Sequence, residues 1–421
     1  MDYRASLDYL YGLQRFGIKL GLDNMLRMLD RLDHPEQSYV CIHIAGTNGK
    51  GSTAATLEAI LRQAGLRTGL YTSPHLVRFT ERIRVEGAQI RESQVAGLTN
   101  DLRRLAGGIP ATFFEFTTAL ALEHFRRTQV DVAILETGMG GRLDATNAVV
   151  PQLCLITRVA LDHQQYLGDT LAGVAAEKAG IIKEGVPVLS AAQHADVRRV
   201  LKLRADSLGA PLLQAGVDWQ IAPRPDGSFD YSGTGWQLKR LRPALAGRHQ
   251  FDNAALALAA AEQLASRFGL RPEQAADALG RVEWPGRLQT IAGSPELLLD
   301  GAHNPEAFAQ LSHWLEQQPH RPRVWLAAFK NDKDWSVAVE RMADLVEGVV
   351  CVPLAGQESV APAQVAARCR EQGLDAETAA SVPEGLEVAC RRVPPNGQVV
   401  VAGSLFLVGE VLSGLAAAGS A

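Results

Sequence analysis

The sequence predicts an α/β protein with two domains, each built on a mainly parallel β-sheet flanked by helices. Short apolar runs of strand length alternate with helix-length segments along the chain, a pattern typical of parallel sheets. Near residue 50 a strand-like run leads through a glycine-rich turn into a helix, which is the first unit of such a fold. The length of 421 residues exceeds what one hydrophobic core usually supports.

The larger, N-terminal domain is predicted to span residues 1–288. Its candidate strands are residues 39–45, 68–71, 130–135, 153–157 and 186–190. Between the first two strands lies a predicted helix, 52–64, which Gly65 is suited to cap. Residues 212–245 form short, turn-rich pieces that predict a small antiparallel insert, and residues 252–268 predict one long alanine-rich helix.

A Pro-Gly pair divides the chain into its two predicted domains. Pro285 and Gly286 cannot continue a helix, so residues 282–287 are the predicted hinge. A second series of strands follows at residues 297–299, 324–328, 349–352 and 399–401. These strands predict a smaller, Rossmann-like α/β domain over residues 289–421, within the usual range of domain sizes.

Composition limits the kinds of partner. The formal net charge is −4 and there is no long basic run, so a nucleic-acid-binding surface is not expected. An anionic substrate would need local positive charge in its pocket.

Cysteine use and hydropathy predict a cytoplasmic protein that is not bound to a membrane. The five cysteines contain no CxxC pair, which favours buried thiols in a reducing compartment over disulfides or a zinc site. The N-terminal segment lacks the apolar core of a signal peptide. The apolar stretch 399–418 is interrupted by Gly403, Ser404, Gly409 and Glu410, so we expect a buried strand, a turn and a helix there.

The strongest motif is the glycine-rich run GTNGKGST at residues 46–53. Backbone N–H groups in such a turn converge on phosphate oxygens, and the N-terminus of the following helix adds partial positive charge. Lys50 is expected to reach the terminal phosphates. Because a glycine follows the lysine, where GxxxxGK[ST] has a hydroxyl, the Mg²⁺-binding hydroxyl is predicted to be Ser52. The predicted nucleotide-binding residues of this loop are Gly46, Thr47, Asn48, Gly49, Lys50, Gly51, Ser52 and Thr53.

Carboxylates follow two neighbouring strands. Glu136 ends one strand, and Asp162 and His163 follow the next, so all three are expected at the sheet edge where such folds bind ligands. Ser52 and Glu136 are predicted to hold Mg²⁺. His163 is either a second metal ligand or a structural hydrogen-bonder. Lys178, from its position alone, is a cation near a helix C-terminus.

An ordered set of motifs resembles one family. They are HIAGTNGKGS, YTSPHLVRFTERIRV, FFEFTTALAL, LETGMGGRLDATN, ALDHQQYLG, EKAGIIK, GRHQFDNAALA, WPGRLQ and LDGAHNPEA. Together they cover residues 40 to 310 and are similar to the folylpolyglutamate synthase/dihydrofolate synthase family of the Mur-ligase superfamily, in its bacterial bifunctional form.

The resemblance implies ATP bound between the domains, with two Mg²⁺ ions. Lys178 matches a lysine that the family carries as a carbamate, and His163 matches its second metal ligand, so Lys50, Lys178, His163 and Glu136 would be catalytic. Asn253 resembles the adenine-side residue. Three residues match contacts that bring the second domain onto ATP: Arg287, Asp300 and His303.

The resemblance also implies a pterin side, formed by Ser73, Pro74, His75, Arg82, Phe114 and Asp144. Two of these have a structural alternative, since Phe114 could be only core and Arg82 could pair with Glu81 or Glu86. The run AAFKNDKD at residues 327–334 departs from the expected glycine-containing turn, which leaves glutamate recognition open.

The implied reaction is an ATP-dependent ligation. A substrate carboxylate attacks the γ-phosphate, and the amine of L-glutamate then displaces phosphate from the acyl-phosphate. The implied partners are dihydropteroate, folates, L-glutamate and ATP. The chain is expected to work as a monomer. Closure of the two domains about the hinge is expected to exclude water.

Two rival interpretations stay open at this point. A Mur-type cell-wall ligase usually has a whole domain before the phosphate loop, and here 45 residues precede Gly46. A GTPase-like switch would carry NKxD, whereas residues 331–334 are NDKD.

Overall fold

The structure is a computed structural model, and it describes residues 1–17 and 21–418. It contains an eight-stranded, a three-stranded and a six-stranded sheet with helices between the strands. The predicted α/β class is therefore confirmed. The domain division at residue 288 stays a prediction, and its two ranges include residues 18–20 and 419–421, which lie outside the described residues.

The large sheet has six parallel strands and two antiparallel strands at one edge, in the order β4-β3-β2-β5-β1-β6-β7-β8. Its strands are β1 (Val40–Ala45), β2 (Thr68–Tyr71), β3 (Ile83–Val85), β4 (Ala88–Gln89), β5 (Val132–Glu136), β6 (Leu153–Ile156), β7 (Val188–Ser190) and β8 (Leu212–Gln214). In the register of β1 with β5, Ile44 pairs with Glu136. The ends of these two strands are therefore neighbours.

Helices cover both faces of the large sheet. They are α1 (Tyr3–Gly12), α2 (Asp23–Arg31), α3 (Lys50–Gln63), α4 (Glu92–Leu105), α5 (Phe113–Arg127), α6 (Gln164–Leu167), α7 (Leu171–Ala179), α8 (Ala195–Ser207), α9 (His249–Phe268) and α10 (Pro272–Leu279). Helices α3, α9 and α10 share one core, and α1, α2, α4 and α5 share the opposite one. Helix α5 begins with a capping box between Thr112 and Glu115, which satisfies two otherwise free backbone N–H groups.

The predicted insert at 212–245 is correct only in part. Its first piece is β8, which pairs in parallel with β7 and so extends the large sheet. The following strands form a separate antiparallel sheet that packs on α9: β9 (Gln220–Pro223), β10 (Phe229–Ser232) and β11 (Gln237–Leu241). The prediction of an antiparallel insert was wrong for β8. Its apolar Leu-Leu pair extends the large sheet before the turn-rich segment begins.

The six-stranded sheet forms the C-terminal part of the fold, in the order β12-β13-β17-β14-β15-β16. Its strands are β12 (Gln289–Ile291), β13 (Glu296–Leu299), β14 (Arg323–Ala327), β15 (Gly348–Cys351), β16 (Asp375–Thr378) and β17 (Gln398–Ala402). Its helices are α11 (Pro305–Glu316), α12 (Ser336–Met342), α13 (Pro362–Glu371), α14 (Val382–Arg392) and α15 (Leu405–Ala418). Apolar clusters cover both faces of the sheet.

The apolar C-terminal stretch forms β17 and α15, so the predicted strand, turn and helix are confirmed. Within residues 1–17 and 21–418, no helix has the length and apolar character that a membrane crossing requires.

Candidate active site

A cavity of about 960 Å³ opens at the carboxyl ends of the parallel strands of the large sheet, and residues of the C-terminal sheet and its helices close its other side. It lies where open α/β sheets bind ligands. All the predicted site residues line it except Thr53 and His75. Thr53 is fully buried, and His75 accepts a hydrogen bond from Arg82 Nε at 2.7 Å.

The phosphate loop lies between β1 and α3. Gly49 precedes the helix with a φ of 88°, in the left-handed region that favours glycine. A Cβ at this position would also overlap the side-chain oxygen of Asn253. Lys50 Nζ folds back over the loop, donating to the carbonyl oxygens of Gly46 at 3.1 Å and Thr47 at 3.3 Å. The loop therefore presents a cation and a helix N-terminus to the cavity, as phosphate binding requires.

A second lysine approaches the same loop from α7. Lys178 is buried, and its Nζ donates to the carbonyl oxygen of Gly46 at 2.7 Å. Burial, together with the charge of Lys50, lowers the pKa of Lys178 to about 7. This shift favours the uncharged amine, which is the nucleophilic form.

Glu136 ends β5 and faces the phosphate loop. Its Oε2 accepts a hydrogen bond from the backbone N–H of Ser73 at 3.2 Å. Burial raises the pKa of Glu136, and Lys50 and the Ser73 N–H oppose that rise. Ser52, at the start of α3, lines the same cavity.

The predicted pterin side contains a buried cation. Arg82 is 7% exposed and lines the cavity, and its guanidinium carbon lies 5.2 Å from the centroid of the Phe113 ring. Neither predicted ion pair forms: Glu81 instead accepts backbone N–H groups of residues 76–78, and Glu86 lies 3.7 Å from Arg67. The structural alternative for Arg82, an ion pair with Glu81 or Glu86, is therefore wrong.

Phe114, on α5, fits both interpretations. It packs against the hydrophobic core that α1, α2, α4 and α5 share, and it also lines the cavity. Asp144 also lies at the cavity wall, where Thr146 and Met139 donate to its carboxylate. The N–H and hydroxyl of Thr146 donate to Oδ1, and the N–H of Met139 donates to Oδ2.

The other side of the cavity belongs to the C-terminal sheet. Asp300 accepts from the backbone N–H groups of Leu288 and Ala302, both at 2.8 Å. His303 Nε2 lies 3.5 Å from Asp162. Arg287 donates to the carbonyl oxygen of Gly286 at 3.0 Å. Arg287, Asp300 and His303 all line the same cavity as the phosphate loop.

The sequence analysis missed two residues, Lys333 and Asn304, that join the two sides of the cavity. Lys333 donates to Asp162, and its side chain is 6% exposed. Asn304 exchanges hydrogen bonds of 3.0 and 3.1 Å with Asn48 of the phosphate loop. Burial favours protonation of Asp162, but His303, Lys333 and His163 hold its pKa well below the usual range.

A local signal existed for each of them. Asn304 precedes a proline at the start of a helix, which predicts an N-cap. Lys333 lies in the Asp-Lys-Asp part of the run that departs from the expected pattern.

His163 also lies between the two sides of the cavity. It has a φ of 50°, and its Nδ1 lies 3.5 Å from Asp332. Asn253, on α9, donates to Gln250 at 2.9 Å and borders the phosphate loop at Gly49. In the described part of the chain, no three His, Cys, Asp or Glu side chains are grouped as a metal site.

Comparison with known proteins agrees with this geometry. The family model "Mur ligase middle domain" matches residues 44–261, and "Mur ligase, glutamate ligase domain" matches residues 286–405. A structure of Escherichia coli FolC in complex with DHPP and ADP has a TM-score of 0.90 and 32% identity, covering 99% of this chain and 98% of that one. The Mycobacterium tuberculosis folylpolyglutamate synthase complexed with ADP and AMPPCP also has a TM-score of 0.90, with 29% identity and 98% of each chain covered.

Two curated relatives differ in length. The folylpolyglutamate synthase of Lacticaseibacillus casei is 33% identical over 428 residues, which is 98% of each chain. A probable bifunctional folylpolyglutamate synthase/dihydropteroate synthase of Haloferax volcanii is 34% identical over 427 residues, and this chain spans 50% of its length.

The fold and the site together define a ligase of the Mur class. Within that class the chain belongs to the folylpolyglutamate synthase/dihydrofolate synthase family, so the family predicted from the ordered motifs is confirmed.

Proposed function

We propose that this chain joins L-glutamate both to dihydropteroate and to reduced folylpolyglutamates through an acyl-phosphate. As a member of its family it is an ATP-dependent ligase that adds glutamate to folates and forms ADP. One observation carries the finer proposal: a single cavity is lined by a phosphate loop, by the Glu136 carboxylate and by the Arg82, Phe114 and Asp144 side chains. An acid bound beside Phe114 can therefore meet a nucleotide phosphate without leaving the cavity.

The mechanism follows from the chemistry of a carboxylate, which is a poor electrophile. The acid attacks the γ-phosphate of ATP, and Lys50 stabilises the negative charge that spreads over the phosphoryl oxygens. The amine of glutamate then attacks the acyl carbon, and phosphate leaves. Asn304 holds the C-terminal side against Asn48 of the phosphate loop, and Lys333 holds it against Asp162. These contacts limit the access of water to the acyl-phosphate.

The residues present suit divalent cations. A Yersinia pestis relative, with 33% identity and a TM-score of 0.89, was solved with Mn, AMPPNP and L-glutamate bound. In this chain the Ser52 hydroxyl and the Glu136 carboxylate offer the oxygen ligands that Mg²⁺ prefers. We assign two Mg²⁺ ions to Ser52, Glu136, His163 and a carbamate on Lys178, and the lowered pKa of the buried Lys178 amine supports the carbamate. When bound, such ions neutralise phosphate charge.

We also propose that the chain acts as a monomer in the cytoplasm. A monomer suffices for the proposed chemistry, because the phosphate loop and the pterin-side residues Arg82, Phe114 and Asp144 line one cavity of a single chain. All five cysteines lie among the described residues and have free thiols, which supports a reducing compartment.

Purified protein offered each acid with ATP and L-glutamate tests the proposal. Glutamate-dependent release of phosphate is expected with dihydropteroate and with a reduced folate. No turnover of dihydropteroate would remove the synthase half of the proposal. Turnover of a nucleotide-linked cell-wall precursor instead would favour the Mur-type alternative.

A further inference from the structure

A buried histidine lies behind the pterin side of the cavity. His43 is on β1 and is completely buried, and it does not line the cavity. Its Nε2 lies 2.8 Å from the hydroxyl oxygen of Thr146, and that hydroxyl lies 2.5 Å from Asp144 Oδ1. His43 belongs to the HIAGTNGKGS motif, but the ligation chemistry derived above gives it no task.

The direction of these hydrogen bonds follows from a count of protons. Burial raises the pKa of Asp144, but the Thr146 hydroxyl and the backbone N–H groups of Met139 and Thr146, both at 3.0 Å, oppose that rise and favour the carboxylate. An ionised Asp144 has no proton to donate. The one hydroxyl proton of Thr146 is therefore donated to Asp144, and its oxygen must accept from His43. The ring proton of His43 is thus on Nε2.

The remaining ring nitrogen supports the neutral form. Among the described groups, His43 Nδ1 has no hydrogen-bond partner and is buried. A proton there would be a buried donor without an acceptor. The charged groups that face the ring are Lys183, and Asp144 behind Thr146. Burial and the charge of Lys183 lower the pKa of His43 to about 3.

We propose that His43 is a positioning residue for the acid substrate, acting through Thr146 to hold the Asp144 carboxylate in the orientation that binds the pterin. The inference rests on the proposed function, because it takes Asp144 as a substrate contact. The three residues form one hydrogen-bonded line from the middle of the sheet to the cavity wall. Rotation of Asp144 away from the cavity would leave the Thr146 hydroxyl and the His43 N–H without their acceptors.

Paired variants separate the hydrogen bond from the packing. His43→Leu keeps most of the volume and removes the donor, whereas the amide of His43→Gln can reach the position of Nε2. Thr146→Val and Thr146→Ser form the same kind of pair for the hydroxyl. Steady-state kinetics would measure KM for dihydropteroate, for a reduced folate and for ATP, together with kcat.

Loss of the donor should raise KM for both acids about tenfold, since the buried hydrogen bond that fixes the Thr146 hydroxyl toward Asp144 is lost. We expect His43→Gln and Thr146→Ser to stay close to the native values, and KM for ATP to be unchanged in every variant. Combining His43→Leu with Asp144→Asn should be no worse than Asp144→Asn alone, because both act on one contact.

The inference is overturned if His43→Leu and His43→Gln are equally impaired, if the defect lies in KM for ATP, or if the two substitutions are additive. A second measurement does not depend on turnover. Nitrogen NMR of histidine-labelled protein, assigned with His43→Gln, should show a neutral ring protonated at Nε2 between about pH 6 and pH 8. A ring protonated at Nδ1 would overturn the inference.

Failure of the proposed function would look different. A native chain that used neither acid would show the same His43 tautomer, and its Asp144→Asn variant would have no acid KM to change. In that case the inference falls with the function, while the hydrogen-bonded line itself is still seen by NMR.

Discussion

Glu136 is the buried carboxylate between the phosphate loop and the Ser73 N–H, and its charge is the property to test. Glu136→Gln keeps the shape and an acceptor for Ser73, but it removes the negative charge that would hold a cation. We expect turnover to fall by at least about 10²-fold, the usual effect of losing one electrostatic contact in a transition state. Initial rates with saturating Mg-ATP would measure this.

The melting temperature serves as the control for folding. It should not fall in Glu136→Gln, because burial already works against the charged form. Glu58→Gln is a matched variant at a buried glutamate that does not line the cavity, and it should keep its turnover. Near-native activity of Glu136→Gln would contradict the metal role.

Buried neutral His43 makes stability depend on pH. Its pKa is about 3 in the fold, against 6.5 for an ordinary histidine, so between these values the unfolded chain binds more protons. The contribution of the neutral His43 ring to stability is therefore complete above pH 6.5 and is lost as the pH falls toward 3. At pH 5 the loss should be about 2 kcal/mol.

Urea unfolding at pH 7 and pH 5 would measure this loss of stability. The loss should be smaller in His43→Gln. It should be unchanged in His313→Gln, a control at an exposed histidine. An identical pH dependence in His43→Gln and the native chain would show that the buried ring does not carry the effect.

The C-terminal helix and the pterin-side loop meet at a notch. Gly409, on α15, has no room for a Cβ, which would overlap the carbonyl oxygen of Leu76. Leu76 lies three residues after Ser73 and packs against the C-terminal core. The position of α15 is thus linked to the position of the segment that carries Ser73 and Arg82.

Gly409→Ala should lower stability by about 1–3 kcal/mol, the usual effect of overpacking, and should raise KM for the acid as the loop moves. Gly414→Ala on the same helix is the matched control. Its Cβ would meet nothing within 4 Å, so it should be neutral or stabilising. Equal behaviour of the two variants in thermal melts and kinetics would mean that the notch has no effect.

Elements with a continuous apolar run were predictable from the sequence, and edge elements were not. Strands β1, β2, β5, β6 and β7 are found within about two residues of their predicted bounds, as is usual for strongly patterned segments. The missed strands are edge strands or lie next to one, and they are short and partly polar: β3, β4, β12 and β16. An edge strand is paired on one side only, so it does not need the apolar run that signals a central strand.

At the scale of the molecule, the site could be predicted where its residues form local motifs. The phosphate loop is such a motif, and its glycines, lysine and hydroxyl lie together in the structure as in the sequence. Asn48 and Asn304 are 256 positions apart, and Asp162 and Lys333 are 171 apart. No spacing rule joins residues at such distances, so only the fold shows that they meet.

Lys333 and Asp162 form a buried ion pair between the two sides of the cavity. Lys333→Met would leave Asp162 without its ammonium partner, and breaking a buried pair usually destabilises by about 3–5 kcal/mol. We expect this loss to weaken the contact between the C-terminal side and the large sheet, so the cavity should open to water. The acyl-phosphate would then hydrolyse before glutamate attacks.

The measurable result is a ratio: ADP released per glutamate incorporated should rise well above one in Lys333→Met. Arg368→Met is the matched control, because Arg368 pairs with Glu340 and Glu371 at the surface, away from the cavity, and exposed pairs contribute little. If Lys333→Met lost rate but kept one ADP per ligation, the lysine would act on the chemistry alone. Water exclusion would then have to depend on the Asn48–Asn304 pair, which a further Asn304→Ala substitution would reveal by the same ratio.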